Sequence, residues 1–169
     1  MGHIFEDICS QYLWALLLKG KSPIDFSELG RWWGTDPRTR SQTEIDIMAE
    51  QDRQAALFGE CKWTNEKVDV GVLDTLVERS QLFHYGQTFL YLFAKTGFTQ
   101  GCIEKAEHLG NVRLVTYSDI LKELVPETWK ARLYGNIISA SATGFCAAIQ
   151  CRTGTVPSGI LHRPFHKWM

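Results

Sequence analysis

Ala55-Ala56-Leu57-Phe58-Gly59-Glu60-Cys61-Lys62 and the stretch before it, Thr43-Glu44-Ile45-Asp46-Ile47-Met48-Ala49, decide how this chain folds. In the earlier stretch Ile45, Ile47 and Ala49 alternate with Glu44, Asp46 and Met48, the period of a half-buried strand. The later one runs apolar up to Glu60 and reads as a neighbouring strand. The polar Gln51-Asp52-Arg53 between them reads as a turn. Side chains alternate between faces along a strand, so Glu60 and Lys62 point one way and Cys61 the other. Asp46 on one strand then meets Glu60 and Lys62 on the next, with Glu44 as a further acid on Asp46's face. Two carboxylates are hard oxygen ligands for Mg²⁺ or Mn²⁺, and such an ion keeps positions open for water and a phosphate oxygen. The pattern predicts a metal-dependent phosphodiesterase site. Glu-x-Lys by itself carries nothing, since a chain of this length holds about one such triplet by chance. The plainer alternative is a surface ion pair between Lys62 and a carboxylate.

Outward from these strands, period and punctuation order the other elements. Phe5, Ile8, Tyr12, Leu13, Leu16 and Leu17 recur at helical spacing over Ile4–Leu18, with Glu6 beside the stripe and Gly20 and Pro23 beyond it. A first strand is expected over Phe26–Gly34, before an Asp36-Pro37 turn, and the three strands should form an antiparallel meander. Asp69 is a plausible N-cap for a helix carrying Val72, Leu73, Leu76 and Val77. Thr88–Ala94 is almost continuously apolar, as a strand covered on both faces should be. Thr99 caps a further helix, with Phe98 and Ile103 placed as a hydrophobic staple and Leu109-Gly110 as its end. A short strand at Val112–Thr116 and a helix over Ser118–Leu124 follow.

Composition bounds the organisation. With 169 residues, 44% of them hydrophobic, the chain can bury one core and an appendage. Residues 1–125 carry 13 Lys and Arg against 18 Asp and Glu, a net −5, while 126–169 carry 5 against 1, a net +4. The expected division is therefore a folded domain over 1–125 and a basic, poorly ordered tail over 126–169. No apolar run approaches the roughly 18–20 residues that span a bilayer. Met1-Gly2-His3-Ile4-Phe5-Glu6 lacks a signal peptide's order, and five irregularly spaced cysteines suit a reducing compartment, so a cytoplasmic setting is expected.

Two motif matches are set aside on physical grounds. Ala15–Ser22 fits a permissive phosphate-loop pattern, but a helix precedes it, three leucines fill it and Pro23 follows. Cys146, Cys151, His162 and His166 approach a zinc-finger spacing, but Pro164 separates the histidines that would share a helical face.

Helix, three-strand meander, helix, strand, with Asp46, Glu60 and Lys62 in place, resembles the core of the PD-(D/E)XK nuclease superfamily. The resemblance implies an α/β fold, restriction-endonuclease-like, with a mixed central sheet flanked by helices. It puts the family's first acid on Asp46, its second-strand acid and lysine on Glu60 and Lys62, and its first-helix acid on Glu6. Ile45 stands where the superfamily's naming proline would be, a position that touches no metal. The implied metal set is Asp46, Glu60 and the carbonyl of Cys61, with Lys62 positioning the attacking water and Glu6 binding a water on the metal or a second ion. Gln81-x3-Tyr85 also resembles a helix motif of exonuclease-type relatives.

More narrowly, Leu29-Gly30-Arg31-Trp32-Trp33-Gly34, Glu44–Ile47 and Leu57–Trp63 resemble the uncharacterised C-terminal module of archaeal-type P-loop ATPases, over about residues 3–125. That resemblance implies an ATPase domain or subunit as partner and makes this chain a fragment or a stand-alone copy. The superfamily resemblance implies cleavage of DNA or RNA, DNA foremost. A second copy of the chain is a further candidate partner. The acidity of residues 1–125 lacks the basic footprint of duplex binders, although Arg31, Arg38, Arg40, Lys67, Arg79 and Lys95 are available to a phosphate backbone. Trp32 and Trp33 should point to opposite faces, leaving at most one to stack on a base. The competing reading is a nuclease-fold module without turnover that docks nucleic acid or protein.

Overall fold

The helical spacing that starts at the N-terminus closes into α1 (Gly2–Leu18), which buries Phe5, Cys9, Tyr12, Leu13 and Leu16. The computed structural model describes residues 2–125. The expected tail over 126–169 and the Cys146–His166 spacing lie outside the described residues. Past α1 the chain turns through Gly20 in the left-handed region, φ 66°, where a residue lacking Cβ pays no steric cost. Ala15–Ser22 is thus the end of a helix and its turn, not a phosphate loop.

Three strands follow, β1 (Gly30–Thr35), β2 (Gln42–Gln51) and β3 (Ala55–Lys62), joined as the expected antiparallel meander. Strand pairing begins later than the expected Phe26, at Gly30 opposite Met48. Ile24 and Phe26 are buried from a loop instead, with the Phe26 ring 4.9 Å from that of Trp14. Apolar content there reflects core filling, which needs no ladder. At the turn between β2 and β3, Asp52 and Arg53 both take left-handed φ, 48° and 57°.

Asp69 caps α2 (Val70–Ser80) by accepting from the Val72 N–H, and Thr99 caps α3 (Gln100–Leu109) in the same way at Cys102. Gly110, φ 73°, closes α3 onto the Ala106 carbonyl, and Phe98 and Ile103 meet in one apolar cluster as a staple should. β4 (Gln87–Ala94) and β5 (Val112–Thr116) extend the sheet in parallel, and α4 (Tyr117–Leu124) is the last element among the described residues.

The sheet order is β1-β2-β3-β4-β5. One face packs Ala55, Leu57, Tyr91, Phe93 and Val115 against α1 and Ile120 of α4. The other packs Ala56, Phe58, Leu90 and Leu92 against Leu73 and Leu76 of α2 and Cys102 and Ala106 of α3. With both faces covered, Leu90 to Ala94 of β4, an interior strand, are all buried, which is why that run has no polar alternation.

One local expectation is overturned. Ile45, Ile47 and Ala49 do not share a face: Ile47 and Ala49 join the α1 side, whereas Ile45 packs with Phe58 and Leu76 on the α2 side. The cause is an irregularity in the β1–β2 register, where Gly30 lies opposite Met48 but Trp32 opposite Ile45. Two steps on β1 answer three on β2, and a bulge of this kind re-aims the side chains around it. Asp46 sits where the alternation changes phase. Trp32 and Trp33 do separate as expected, Trp32 packing edge-on to Phe83 and Trp33 standing 60% exposed.

Candidate active site

The β2–β3 ladder ends at Ile47 opposite Gly59, although both strands continue. Beyond that pair β2 goes on beside β1 alone, as far as Gln42 opposite Thr35, and β3 goes on beside β4 as far as Lys62 opposite Ala94. The parting leaves the Cys61 N–H without a strand partner. The Asp46 carboxylate takes it, at 2.8 Å, so a side chain supplies the acceptor that the backbone has withdrawn.

Glu60 lies one residue before that N–H and is 5% exposed. A carboxylate so buried needs compensating charge. Lys62 Nζ supplies it at 2.6 Å, as same-face spacing on β3 predicts, and Arg79 of α2 at 3.1 Å to the other oxygen. The sequence offers Arg79 only as one of several cations available to a phosphate backbone, and helix packing is what puts it on Glu60. Glu6 reaches in from α1 and is held by the Arg31 guanidinium, with His3 Nδ1 3.6 Å away. Arg31 stands at the bulge, between Gly30 and Trp32, and is committed to this carboxylate.

The four side chains are brought together electrostatically at Asp46. Its carboxyl is pushed up to about 6, first by burial, then by the charge of Glu60, with Glu6 adding to the rise and the Cys61 N–H and Lys62 opposing it. Among the described residues Asp46 has no ion-pair partner. A partly desolvated acid beside a second acid fits a divalent cation, which would relieve both causes of the shift, and the oxygen-only donor set suits Mg²⁺ or Mn²⁺. Asp46 and Glu60 are nevertheless only a pair: among the described residues no three His, Cys, Asp or Glu are gathered around one point. Glu44 is exposed.

Cys61 faces away, as alternation predicts. Its thiol packs against the α1-side core beside Cys9, and burial pushes it up, well above the usual thiol range. The Gln81-x3-Tyr85 pair does not form a unit here. Gln81 is exposed at the end of α2, where its N–H caps the helix, and the Tyr85 hydroxyl donates to Glu50.

This arrangement is a restriction-endonuclease-like fold, a five-stranded mixed sheet between helices. The chain superposes on the MspJI restriction endonuclease, solved in complex with a 27-mer oligonucleotide, with a TM-score of 0.50 and 13% identity, over 81% of this chain and 31% of that one. A crystal structure of a protein of unknown function aligns at 0.45 and 17% identity over 76% of this chain and 77% of that one. The DNA modification-dependent restriction endonuclease AspBHI aligns at 0.40 and 22% over 82% and 35%. By sequence, a family described as archaea bacterial proteins of unknown function matches residues 1–72. An uncharacterized protein of Methanocaldococcus jannaschii is 35% identical over 68 residues, which is 40% of this chain and 14% of that protein. Among the described residues no helix is long and apolar enough to cross a membrane.

Proposed function

We propose that this domain is a metal-dependent nuclease hydrolysing phosphodiester bonds of nucleic acid, DNA foremost. The observation that carries the reading is the parting of β2 and β3, where the Asp46 carboxylate bonds the strand that carries Glu60 and Lys62. Asp46 and Glu60 would hold Mg²⁺ or Mn²⁺, with the Cys61 carbonyl as a third oxygen. When bound, the ion polarises the phosphoryl oxygen and lowers the pKa of a water. Lys62, about a third exposed, supplies a mobile positive charge that orients the nucleophilic water and offsets charge developing on the phosphate. Arg79 neutralises Glu60 from the helix side until a cation takes that place, and Glu6 on α1 orients water at the edge of the site. Incubation with Mg²⁺ or Mn²⁺ and linear or circular DNA, and separately RNA, tests this. Cleavage by the wild type that is lost in Asp46→Ala and Lys62→Ala supports it, and cleavage unchanged in both variants overturns it.

A second reading is supported by the pairing of the acids themselves. Glu60 is already neutralised by Lys62 and Arg79, and Glu6 by Arg31. A module so balanced could serve without turnover as a docking unit for nucleic acid or for an ATPase domain or subunit, alone or as a homodimer. Calorimetric titration with Mn²⁺ separates the two. Binding that is lost in Asp46→Asn favours the enzyme, and no binding at millimolar metal favours the docking unit.

A further inference from the structure

The geometry points to a pocket beside the candidate active site that takes a single unstacked nucleobase bearing an exocyclic amino group. It rests on the nuclease reading only for the kind of polymer that delivers the base. A cavity of about 560 Å³ lies between the start of β1, the far half of β2 and the segment Leu82–Tyr85 that follows α2. This is within the roughly 300–1,000 Å³ of small-molecule sites.

Its walls are aromatic and apolar. Trp32, Met48, Phe83 and Tyr85 line it. The Trp32 and Phe83 rings meet edge to face at 4.9 Å, and those of Phe83 and Tyr85 lie near parallel, 26° apart. All four side chains are only partly buried, so ring surface remains open to a ligand. The indole of Trp32 is held along the strand by Gly34, where any Cβ would overlap the ring. Stacking on such rings is sequence-tolerant, because every base has a π face.

One acid adds selectivity. Glu50 lines the cavity, and its carboxylate accepts the Tyr85 hydroxyl, which fixes it at the wall. A fixed carboxylate accepts from the amino group of cytosine or adenine and finds no such group on thymine. Arg31 and Arg53 also line the cavity. Arg31 is taken up by Glu6, so what favours a nucleobase over a methylated-lysine side chain, the other ligand an aromatic cage suits, is the candidate phosphodiesterase site on the same strand.

The position suits the chemistry next to it. Glu50 is four residues beyond Asp46 on the same strand, roughly 13 Å at about 3.3 Å per residue. A base stacked inside a duplex has no free face to lay on these rings, so the ligand is single-stranded or extrahelical.

Fluorescence anisotropy of labelled oligodeoxycytidine and oligothymidine in EDTA, where nothing is cleaved, tests the pocket. The wild type should bind oligodeoxycytidine at least fivefold more tightly than oligothymidine, by about the discrimination of one base contact. Met48→Trp, which fills the cavity, should weaken oligodeoxycytidine binding about tenfold. Glu50→Gln should reduce the preference between the two oligomers. Equal binding of both by the wild type, no binding of either, or unaltered affinity in a Met48→Trp protein that melts like the wild type would each overturn the inference. So would a methylated-lysine peptide that competes the oligomer away. Failure of the wild type to cleave in Mg²⁺ counts against the nuclease reading alone, since this binding is measured without metal.

Discussion

The backbone N–H of Cys61 donates to the Asp46 carboxylate across the gap where β2 has left β3, at 2.8 Å. This one bond ties the candidate metal ligand to the strand that carries its partner, Glu60. It also separates the two duties of Asp46, as an acceptor that completes the sheet and as an anion beside another anion.

Those duties come apart by mutation. Asp46→Asn keeps an oxygen for the Cys61 N–H and removes the charge, whereas Asp46→Ala leaves that donor unpaired. Both should abolish cleavage. In EDTA at neutral pH, Asp46→Asn should be at least as stable as the wild type, and Asp46→Ala should be less stable than Asp46→Asn by about 1–3 kcal/mol. Urea midpoints for the three proteins check the order.

The elevated acid also sets a pH dependence. The Asp46 carboxyl titrates near 6 in the folded protein against an ordinary 3.8, so between those values the folded state binds more protons than the unfolded one. Stability from this group is full below about pH 4 and is lost as pH rises through about 6, by on the order of 3 kcal/mol at most. Other carboxyls act in the opposite direction, among them Asp119, whose Thr116 hydroxyl partner pulls it down. The difference between wild type and Asp46→Asn in EDTA isolates the effect: the wild type should lose ground to the variant from pH 4 to 7. A flat difference would show that Asp46 does not carry this charge conflict.

Arg79 competes with any cation for Glu60. Replacing it by Met should cost about 1–2 kcal/mol, a discount from the fully buried case because Arg79 is 27% exposed and Lys62 remains. The same change should tighten Mn²⁺ binding several-fold. Calorimetry showing weaker binding would mean that Arg79 organises Glu60 for metal rather than opposing it.

Gly59, directly before Glu60, lies opposite Ile47 at the last rung of the ladder. A Cβ there would stand 3.0 Å from Ile47 Cβ and 3.4 Å from the Phe93 ring. Gly59→Ala should therefore destabilise by about 1–3 kcal/mol through overpacking. Because the strain falls at the parting of the strands, cleavage should drop more than the loss of folded protein explains, which specific activity corrected for the folded fraction measures.

Much of this was legible in the chain because it is local. The caps Asp69 and Thr99, the stop at Gly110 and the strand Val112–Thr116 follow from propensities within a few residues and stand where the spacing puts them. The common face of Glu60 and Lys62 follows from the two-residue period and appears as their ion pair. Phe26 misled because an apolar residue fills a core equally well from a loop. The bulge opposite Arg31 was illegible, since a register slip between β1 and β2 leaves no mark in either strand read alone.

By itself, then, the sequence determined the order of helices and strands, the pairing of Glu60 with Lys62 and the inward turn of Cys61, all set by periods of two and 3.6 residues. Only the tertiary structure decided where β2 and β3 part, that Asp46 fills the gap, that Arg79 reaches Glu60 from α2, and that Trp32, Phe83 and Tyr85 enclose one cavity. Those residues lie far apart along the chain, and their meeting depends on how the helices pack on a twisted sheet. Local spacing carries no record of that packing.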